Sequence, residues 1–378
     1  MPVRILHLHG SFQRGGKEAR VTRLMNGWGE RAVHEVVVAH AGDDAARIAI
    51  SPRVEAHFPD IGPALLQGKP APGRYRRIAR HMQAFDLVLT YNWGSMDAVM
   101  AHRLLSPFMK LPPLIHHEDG FNADEAERLK TKRNLFRRFG LGSAHALVVP
   151  SRRLEHIALT AWARPHGQVH VIANGIDLDR FRIAPVPDAI PGLVRSPGKL
   201  VVGTLAGLRP VKNLRRLVRA VAAHKDRLKL VIVGEGEERE AIVAEAAALG
   251  MDDLCMPGHL SDPAAFVGLF DIFALSSDSE QFPISLVEAM AAGLPVVSTE
   301  VGDVASMVAP ENRPLIVPVA DEAAFAAALG RLAGSDVLRR SLGEANRQVA
   351  SANYGVATMV ERYSTLYDEA MARGPLLR

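Results

Sequence analysis

Short apolar runs alternate with longer amphipathic stretches along almost the whole chain. VRILHLHG (3–10), HEVVVAH (34–40), DLVLTYN (86–92), PLIHHEDG (113–120), HALVVPS (145–151) and VHVIANGI (169–176) predict the strands of a first sheet. Several are apolar without interruption, as strands covered on both faces must be. Their alternation with helical stretches predicts βα units and parallel pairing. Polar or glycine-bearing turns follow their C-terminal ends, where open α/β sheets bind ligands.

The rhythm breaks at RIAPVPDAIPGLVRSPGK (182–199), which is rich in proline and glycine and has no period. It then restarts with LVVGTLAG (200–207), LKLVIVG (228–234), LCMPGH (254–259), IFALSS (272–277), PVVSTE (295–300) and PLIVPVA (314–320). Between the first two of these, Leu214, Leu217, Val218 and Val221 form an apolar helical stripe, with Asn213 as the N-cap. The expectation is an α/β protein of two doubly wound, Rossmann-like domains facing a central cleft. The first spans 1–185, a linker spans 186–199, and the second domain begins at 200.

Composition narrows the class. Of 378 residues 48% are hydrophobic and 23% charged, the balance of a globular protein. No apolar run approaches the roughly 18 residues of a membrane span. The start reads as a strand and turn rather than a signal peptide, and Cys255 is the single cysteine, so no intrachain disulfide forms. A cytoplasmic location is expected, with peripheral attachment to the inner face of the membrane as its variant. The net charge of +4 conceals an asymmetry: residues 1–190 hold 26 Lys or Arg against 18 Asp or Glu, and the rest hold 19 against 23. The basic residues gather in GRYRRIARH (73–81) and RLKTKRNLFRRFG (128–140), either as solvated helix faces or as a surface for anionic headgroups. Aromatics are 6% and do not interleave with the basic runs, which disfavours nucleic acid.

Four stretches carry candidate chemistry. In SSDSEQFPISLVEAMAAGLPVV (276–297), Pro283 suits the first position of a helix, leaving the N–H groups of residues 284–286 free. Ile284, Val287 and Met290 or Ala291 would face the core, and Glu288 another side, where a carboxylate can accept from paired hydroxyls. Glu280 lies in the preceding turn. In TLAGLRPVKNL (204–214), Arg209 and Lys212 beside a helix start suit a diphosphate. Gly15 and Gly16 of SFQRGGKEAR would let backbone approach a phosphate or sugar. Neither this segment nor VGEGEER (233–239) fits a dinucleotide or P-loop fingerprint. In LIHHEDGFNADE (114–125), strand alternation sends His116 and Glu118 to one face and His117 and Asp119 to the other, against a shared metal and toward a polar wall or structural pairing.

Together these residues resemble the retaining, nucleotide-sugar-dependent glycosyltransferase family 4, with its glycosyltransferase-B fold. Glu280 and Glu288 match the family's two glutamates separated by seven residues, and EQFPISLVEAMAAGLPVVSTEVGD is similar to its signature. VIANGIDLDRF (171–181), GLRPVKN and VGEGEE also fit, and the terminal segment 353–378, after a second domain ending at 352, resembles the helix that crosses back to the first domain. The resemblance implies that Glu288 holds the ribose and Glu280 lies by the transferred sugar. Backbone groups of Phe282, Pro283 and Ile284 would meet the sugar hydroxyls, Arg209 and Lys212 the diphosphate, and Gly15 and Gly16 the donor from across the cleft. Three positions depart from the pattern: Gln281 replaces a common glycine, Ala206-Gly207-Leu208 replaces Gly-Arg-Leu, and Asp119 stands where a histidine is frequent. The acceptor-side catalytic residue is left open between His117 and Asp119.

The implied reaction is transfer with retention from a nucleotide diphosphate sugar, without a metal or other cofactor. The leaving diphosphate would take the acceptor's proton. The acceptor expected from the basic first half is a saccharide or lipid-linked saccharide in cell-surface polysaccharide or glycolipid assembly. The alternatives are a nucleotide-sugar epimerase or hydrolase of the same fold, or a non-catalytic partner subunit that binds nucleotide-sugar.

Overall fold

In a computed structural model the chain divides into two compact units, Met1–Asn174 with Ala357–Arg378, and Gly175–Val356. The structure describes residues 2–121, 125, 129–372 and 374–377. Residues 122–124 of the HHEDG stretch and Arg128 of the second basic run therefore lie outside the described residues.

The first unit carries seven strands: β1 (Val3–His9), β2 (Ala32–Val38), β3 (Glu55–His57), β4 (Leu87–Tyr91), β5 (Leu114–His117), β6 (Ala146–Val149) and β7 (Val169–Val171). They form one parallel sheet in the order β3-β2-β1-β4-β5-β6-β7. The helices up to residue 160 are α1 (Gly16–Trp28), α2 (Gly62–Leu66), α3 (Pro72–Met82), α4 (Met96–Leu105), α5 (Thr131–Gly140) and α6 (Arg152–Thr160). Strand β3 has no sequence signal: Glu-Ala-His is too short and polar, and it pairs only at the sheet edge.

The second unit has a six-stranded sheet of β8 (Leu200–Leu205), β9 (Leu228–Val233), β10 (Cys255–Gly258), β11 (Ile272–Leu275), β12 (Val296–Thr299) and β13 (Ile316–Val317). Its order is β10-β9-β8-β11-β12-β13, again parallel. Its helices are α7 (Leu214–Ala222), α8 (Arg239–Ala248), α9 (Pro263–Phe266), α10 (Ile284–Ala291), α11 (Val304–Met307), α12 (Glu322–Ala333) and α13 (Asp336–Asn353). The α7 stripe is buried throughout: Leu214, Leu217, Val218 and Val221 all enter the core.

Helix α14 (Val356–Met371) joins the first unit almost entirely. Its inner face places Met359, Tyr363, Leu366 and Tyr367 in the same core as β1, β4 and α1. Trp28 Nε1 donates to Ser364 Oγ at 2.9 Å, fixing it to α1.

The structure departs from the expected boundaries. Residues 175–199 belong to the second unit, including the proline-rich stretch 186–199. That stretch is fastened by hydrogen bonds: Val186 N–H donates to Ala265 O at 2.8 Å, and Lys229 Nζ to Val194 O at 2.9 Å. Lack of periodicity marked it as irregular, which it is, but irregular chain can still be packed.

Candidate active site

A doubly wound sheet opens at the point where its strand order reverses, and ligands gather at the strand C-termini there. In the second unit that point lies between β8 and β11. The loop after β8 carries Arg209 and Lys212, and the loop after β11 carries Glu280. Topology thus brings together residues that sequence holds far apart.

The two loops are stitched to each other. Asp278 N–H donates to Val211 O at 2.8 Å, Ser276 Oγ to Lys212 O at 3.0 Å, and Asn213 Nδ2 to both Asp278 oxygens at 3.1 and 3.2 Å. Asn213 caps α7, accepting from Arg216 N–H, and does so at φ +42°, a left-handed conformation that asparagine tolerates better than most residues. Buried Arg216 of α7 then holds the loop after β11, donating to Ser276 O at 2.9 Å and pairing with Asp278 at 2.9 Å.

On this frame Lys212 Nζ meets Glu280 Oε1 at 2.5 Å, and Ser277 Oγ donates to the same oxygen at 2.7 Å. The side chains are 15% and 10% exposed, so the pair is shielded without being sealed. Arg209 is exposed and has no ion-pair partner among the described residues. The expectation that Lys212 would stand ready for a diphosphate is therefore refined: in this structure it neutralises Glu280.

Helix α10 begins one residue later than the sequence predicts. Pro283 is its N-cap, at φ −73° and ψ 103°, and Ile284 its first residue. Leu286, Val287, Ala289, Met290 and Ala291 are buried, whereas Ile284 is half-buried, so the core face is rotated from the expected stripe. Glu288 is half-buried on the side away from that face. Phe282 packs edge-on against Tyr354, with ring centroids 5.9 Å apart.

Glycines set the closeness of these loops. Gly234 has φ +145°, and a Cβ there would lie 1.9 Å from Ala206 O. Gly302, at φ +52°, would bring a Cβ within 2.6 Å of Glu280 O. VGEGEER thus serves the basic loop by close packing. A Gly234→Ala variant is expected to lose about 3 kcal/mol or more of the second unit's stability, since strain and clash add. Urea unfolding followed by circular dichroism would measure it.

In the first unit the strand order reverses between β1 and β4. Gly10 and Gly94 touch there: a Cβ on Gly94 would lie 2.6 Å from Gly10 Cα. Gly15 is the extended N-cap of α1 and has no side-chain cap bond, and Gly16 is the first helical residue. Asp119, just beyond β5, has both carboxylate oxygens on the Arg20 guanidinium, with Nη2 to Oδ2 at 2.9 Å. Its N–H donates to Asn92 Oδ1 at 2.8 Å. Asn92 itself sits at φ +53° at the end of β4. Burial opposes the Arg20 charge, yet the adjacent Asp119 carboxylate outweighs it and raises the pKa above the ordinary arginine value.

His117 and Asp119 do share a side of the sheet, as alternation predicts, but only Asp119 keeps contact with solvent. His117 is 1% exposed, with Nδ1 at 3.2 Å from Thr90 O and Nε2 at 2.7 Å from the Tyr367 hydroxyl. A carbonyl can only accept, so Nδ1 carries the proton and Nε2 accepts from Tyr367. Burial, and then Arg20, push its pKa well below the ordinary value. With both nitrogens occupied, His117 is part of the core. On the opposite face Glu118 pairs with the Arg137 guanidinium at 3.3 Å, which also holds Glu125 at 3.1 Å, and His116 Nδ1 lies 2.9 Å from the Thr90 hydroxyl. Structural pairing accounts for that half of the HHED cluster. It also removes Arg137 from the exposed basic surface, as the Asp97 pair removes Arg74.

Sequence reasoning missed Arg20, Asn92 and Arg216, and found Asn213 only as a helix cap without its bond to Asp278. Each acts through a partner far away in the chain, so local spacing carries no signal for them.

Residues 14–180 match the family described as Glycosyltransferase Family 4, and residues 188–349 match Glycosyl transferases group 1. The chain belongs to the group 1, family 4 type of glycosyltransferases. Among curated relatives, N-acetyl-alpha-D-glucosaminyl L-malate synthase of Bacillus anthracis is 26% identical over 44% of this chain and 45% of its own. D-inositol 3-phosphate glycosyltransferase of Saccharomonospora viridis is 31% identical over 54% and 51%. The chain thus spans about half the length of these curated relatives. Alr3699/HepE of Anabaena, solved in complex with UDP, superposes with a TM-score of 0.80 at 18% identity, covering 97% of this chain and 100% of that one. The chain has the glycosyltransferase-B fold.

Proposed function

We propose that the enzyme transfers a hexosyl-type group, with retention, from a nucleotide diphosphate sugar to a saccharide or lipid-linked saccharide. The observation that carries this reading is the shielded Lys212–Glu280–Ser277 group beside exposed Arg209, at the point where the second unit's strand order reverses. Two cations at a strand terminus suit a diphosphate, and a carboxylate next to them suits sugar hydroxyls. The UDP held by the Anabaena structure supports a diphosphate donor here.

In this mechanism Arg209 and Lys212 meet the charge that grows on the diphosphate as the bond to the sugar carbon breaks. Such stabilisation is the main catalytic contribution when the groups are fixed in advance. The ammonium of Lys212 has three donors, so it can keep Glu280 while it serves phosphate. The acceptor oxygen forms its bond on the face the diphosphate leaves, and its proton passes to the leaving phosphate oxygen. Glu280 orients the sugar and Glu288 the ribose. Between the two acceptor-side candidates the proposal takes Asp119, whose carboxylate Arg20 holds in place, over the enclosed His117.

Calorimetric titration and thermal unfolding with UDP, GDP and ADP test the reading. One diphosphate is expected to bind. At a hundred times its dissociation constant it should add about 2.7 kcal/mol of stability, and Glu288→Ala should weaken it by tenfold or more. If none of the three binds the wild-type protein, the proposal fails.

A further inference from the structure

Helices α3, α4 and α5 pack side by side over one face of the first unit's sheet, around a shared apolar core. Within this layer the stretches 61–85, 98–117 and 129–154 hold five, two and seven Lys or Arg and no Asp or Glu, and the one acid on the three helices is Asp97 in the first turn of α4. A solvated helix face normally interleaves both signs, because opposite charges three or four residues apart stabilise a helix. Here the one acid of the three helices, Asp97, is held by Arg74.

Some of the cations are paired, among them Arg133 with Glu125 and Arg152 with Glu155. Arg74 and Arg137 turn inward to acidic partners from outside those stretches. Arg76, Arg77, Arg80, Lys110, Lys132 and Arg138 are exposed, and none of the six forms an ion pair among the described residues. Among them stand large apolar side chains with no cover. Phe108 is 83% exposed, Leu135 60%, Phe139 50% and Leu104 42%. Arg103 on α4 lies over the Phe139 ring of α5 at 5.4 Å, and Leu104 and Phe108 follow Arg103 in the chain. Gln83, just past α3, donates to Lys110 O at 3.3 Å and brings the end of α3 to the same place.

We infer that this face, centred on Phe108 and Phe139, docks the first unit onto an anionic lipid surface. Exposed aromatics on a helical layer that also carries exposed cations match the membrane interface, which takes rings at headgroup depth and attracts Lys and Arg to acidic lipids. No helix among the described residues is long and apolar enough to cross a membrane, so attachment would be peripheral. The inference deepens the proposed function, since it rests on a lipid-linked or membrane-held acceptor.

The test is cosedimentation of the full chain with vesicles of neutral lipid alone and of neutral lipid with about one-third phosphatidylglycerol, at low and high salt. Binding to the anionic vesicles is expected to exceed that to neutral ones by at least tenfold and to fall with salt. Phe108→Ser with Phe139→Ser, and separately Arg76→Gln, Arg77→Gln and Arg80→Gln, should each reduce it several-fold. Arg47→Gln with Arg53→Gln, outside the layer, should leave it unchanged, and thermal melts would confirm that every variant folds. Equal binding to both vesicles, equal loss in the outside control, or capture by an RNA oligonucleotide in preference to vesicles would each overturn the inference. Diphosphate titration of the same samples separates the two claims: vesicle binding can fail while donor binding persists, and the transferase reading then stands alone.

Discussion

Replacing Lys212 with methionine is expected to lower kcat by about 10²- to 10³-fold, the cost of removing one fixed charge from the site where transition-state charge develops. Methionine keeps the apolar stem and removes the ammonium, so the loss reads electrostatics rather than packing. Glu280 would keep the Ser277 hydroxyl on the oxygen that Lys212 now holds but lose the neutralising charge. A modest fall in the second unit's melting temperature should therefore accompany the change. Glu280→Gln is the informative companion. It removes the competitor for Lys212 while keeping an acceptor for Ser277, so nucleoside diphosphate should bind as well as before or several-fold tighter while sugar transfer falls. Steady-state kinetics with the donor identified by calorimetry, alongside diphosphate titration, check both variants. Transfer by Lys212→Met within threefold of wild type would remove Lys212 from the mechanism.

Acid is expected to unfold the first unit while the second remains folded. His7, His9, His34 and His117 are buried beside one another at the centre of the first sheet. His7 bonds to Tyr91 and His34 at 3.0 Å each, and Tyr91 lies between stacked His9 and His117, at 4.0 and 4.7 Å. Burial holds all four pKa values well below the ordinary 6.5, with His34 lowered to about 3. The cations Lys17 and Arg20 further oppose protonation of His9. Because the folded values lie below the unfolded ones, the stability these rings confer is fully present above about pH 6.5. It is lost as pH falls from there toward the folded values, which for His34 means toward about 3. At pH 4.5 the His34 ring, with its folded value at about 3, forgoes about 2 to 3 kcal/mol of protonation that the unfolded chain enjoys, and His7, His9 and His117 act in the same direction. That is a large share of the roughly 5–15 kcal/mol that holds a typical domain together. The measurement is selective, because Trp28, Trp93 and Trp162 all lie in the first unit. Tryptophan emission should shift between pH 6 and 4.5 while much of the far-ultraviolet dichroism survives. Unchanged emission to pH 4 would mean that the histidines protonate without unfolding the core.

Much of the architecture was legible because it is written in local periodicity. The uninterrupted apolar runs could only be strands covered on both faces, and the α7 stripe at 214, 217, 218 and 221 could only be a helix lying on them. The edge strand Glu55–His57 escaped because an edge needs only a few backbone hydrogen bonds and no apolar pattern. The stretch 186–199 is irregular, as its prolines and glycines imply, yet it belongs to the second unit rather than to a linker, since proline and glycine report lack of repeat and say nothing about attachment.

The sequence by itself determined the two-sheet α/β plan, the residue types at the strand ends, and the one-sided charge of the first half. Only the tertiary structure decided which of those residues meet. Lys212 reaches Glu280 across 68 positions and Arg20 reaches Asp119 across 99, because strand order, not spacing, sets which loops are neighbours. Likewise His117 and Asp119 occupy one strand face and look equivalent in sequence. The Tyr367 hydroxyl from the last helix closes over His117 and leaves Asp119 at the surface with Arg20. Burial is a property of what packs on top, and what packs on His117 lies 250 residues away.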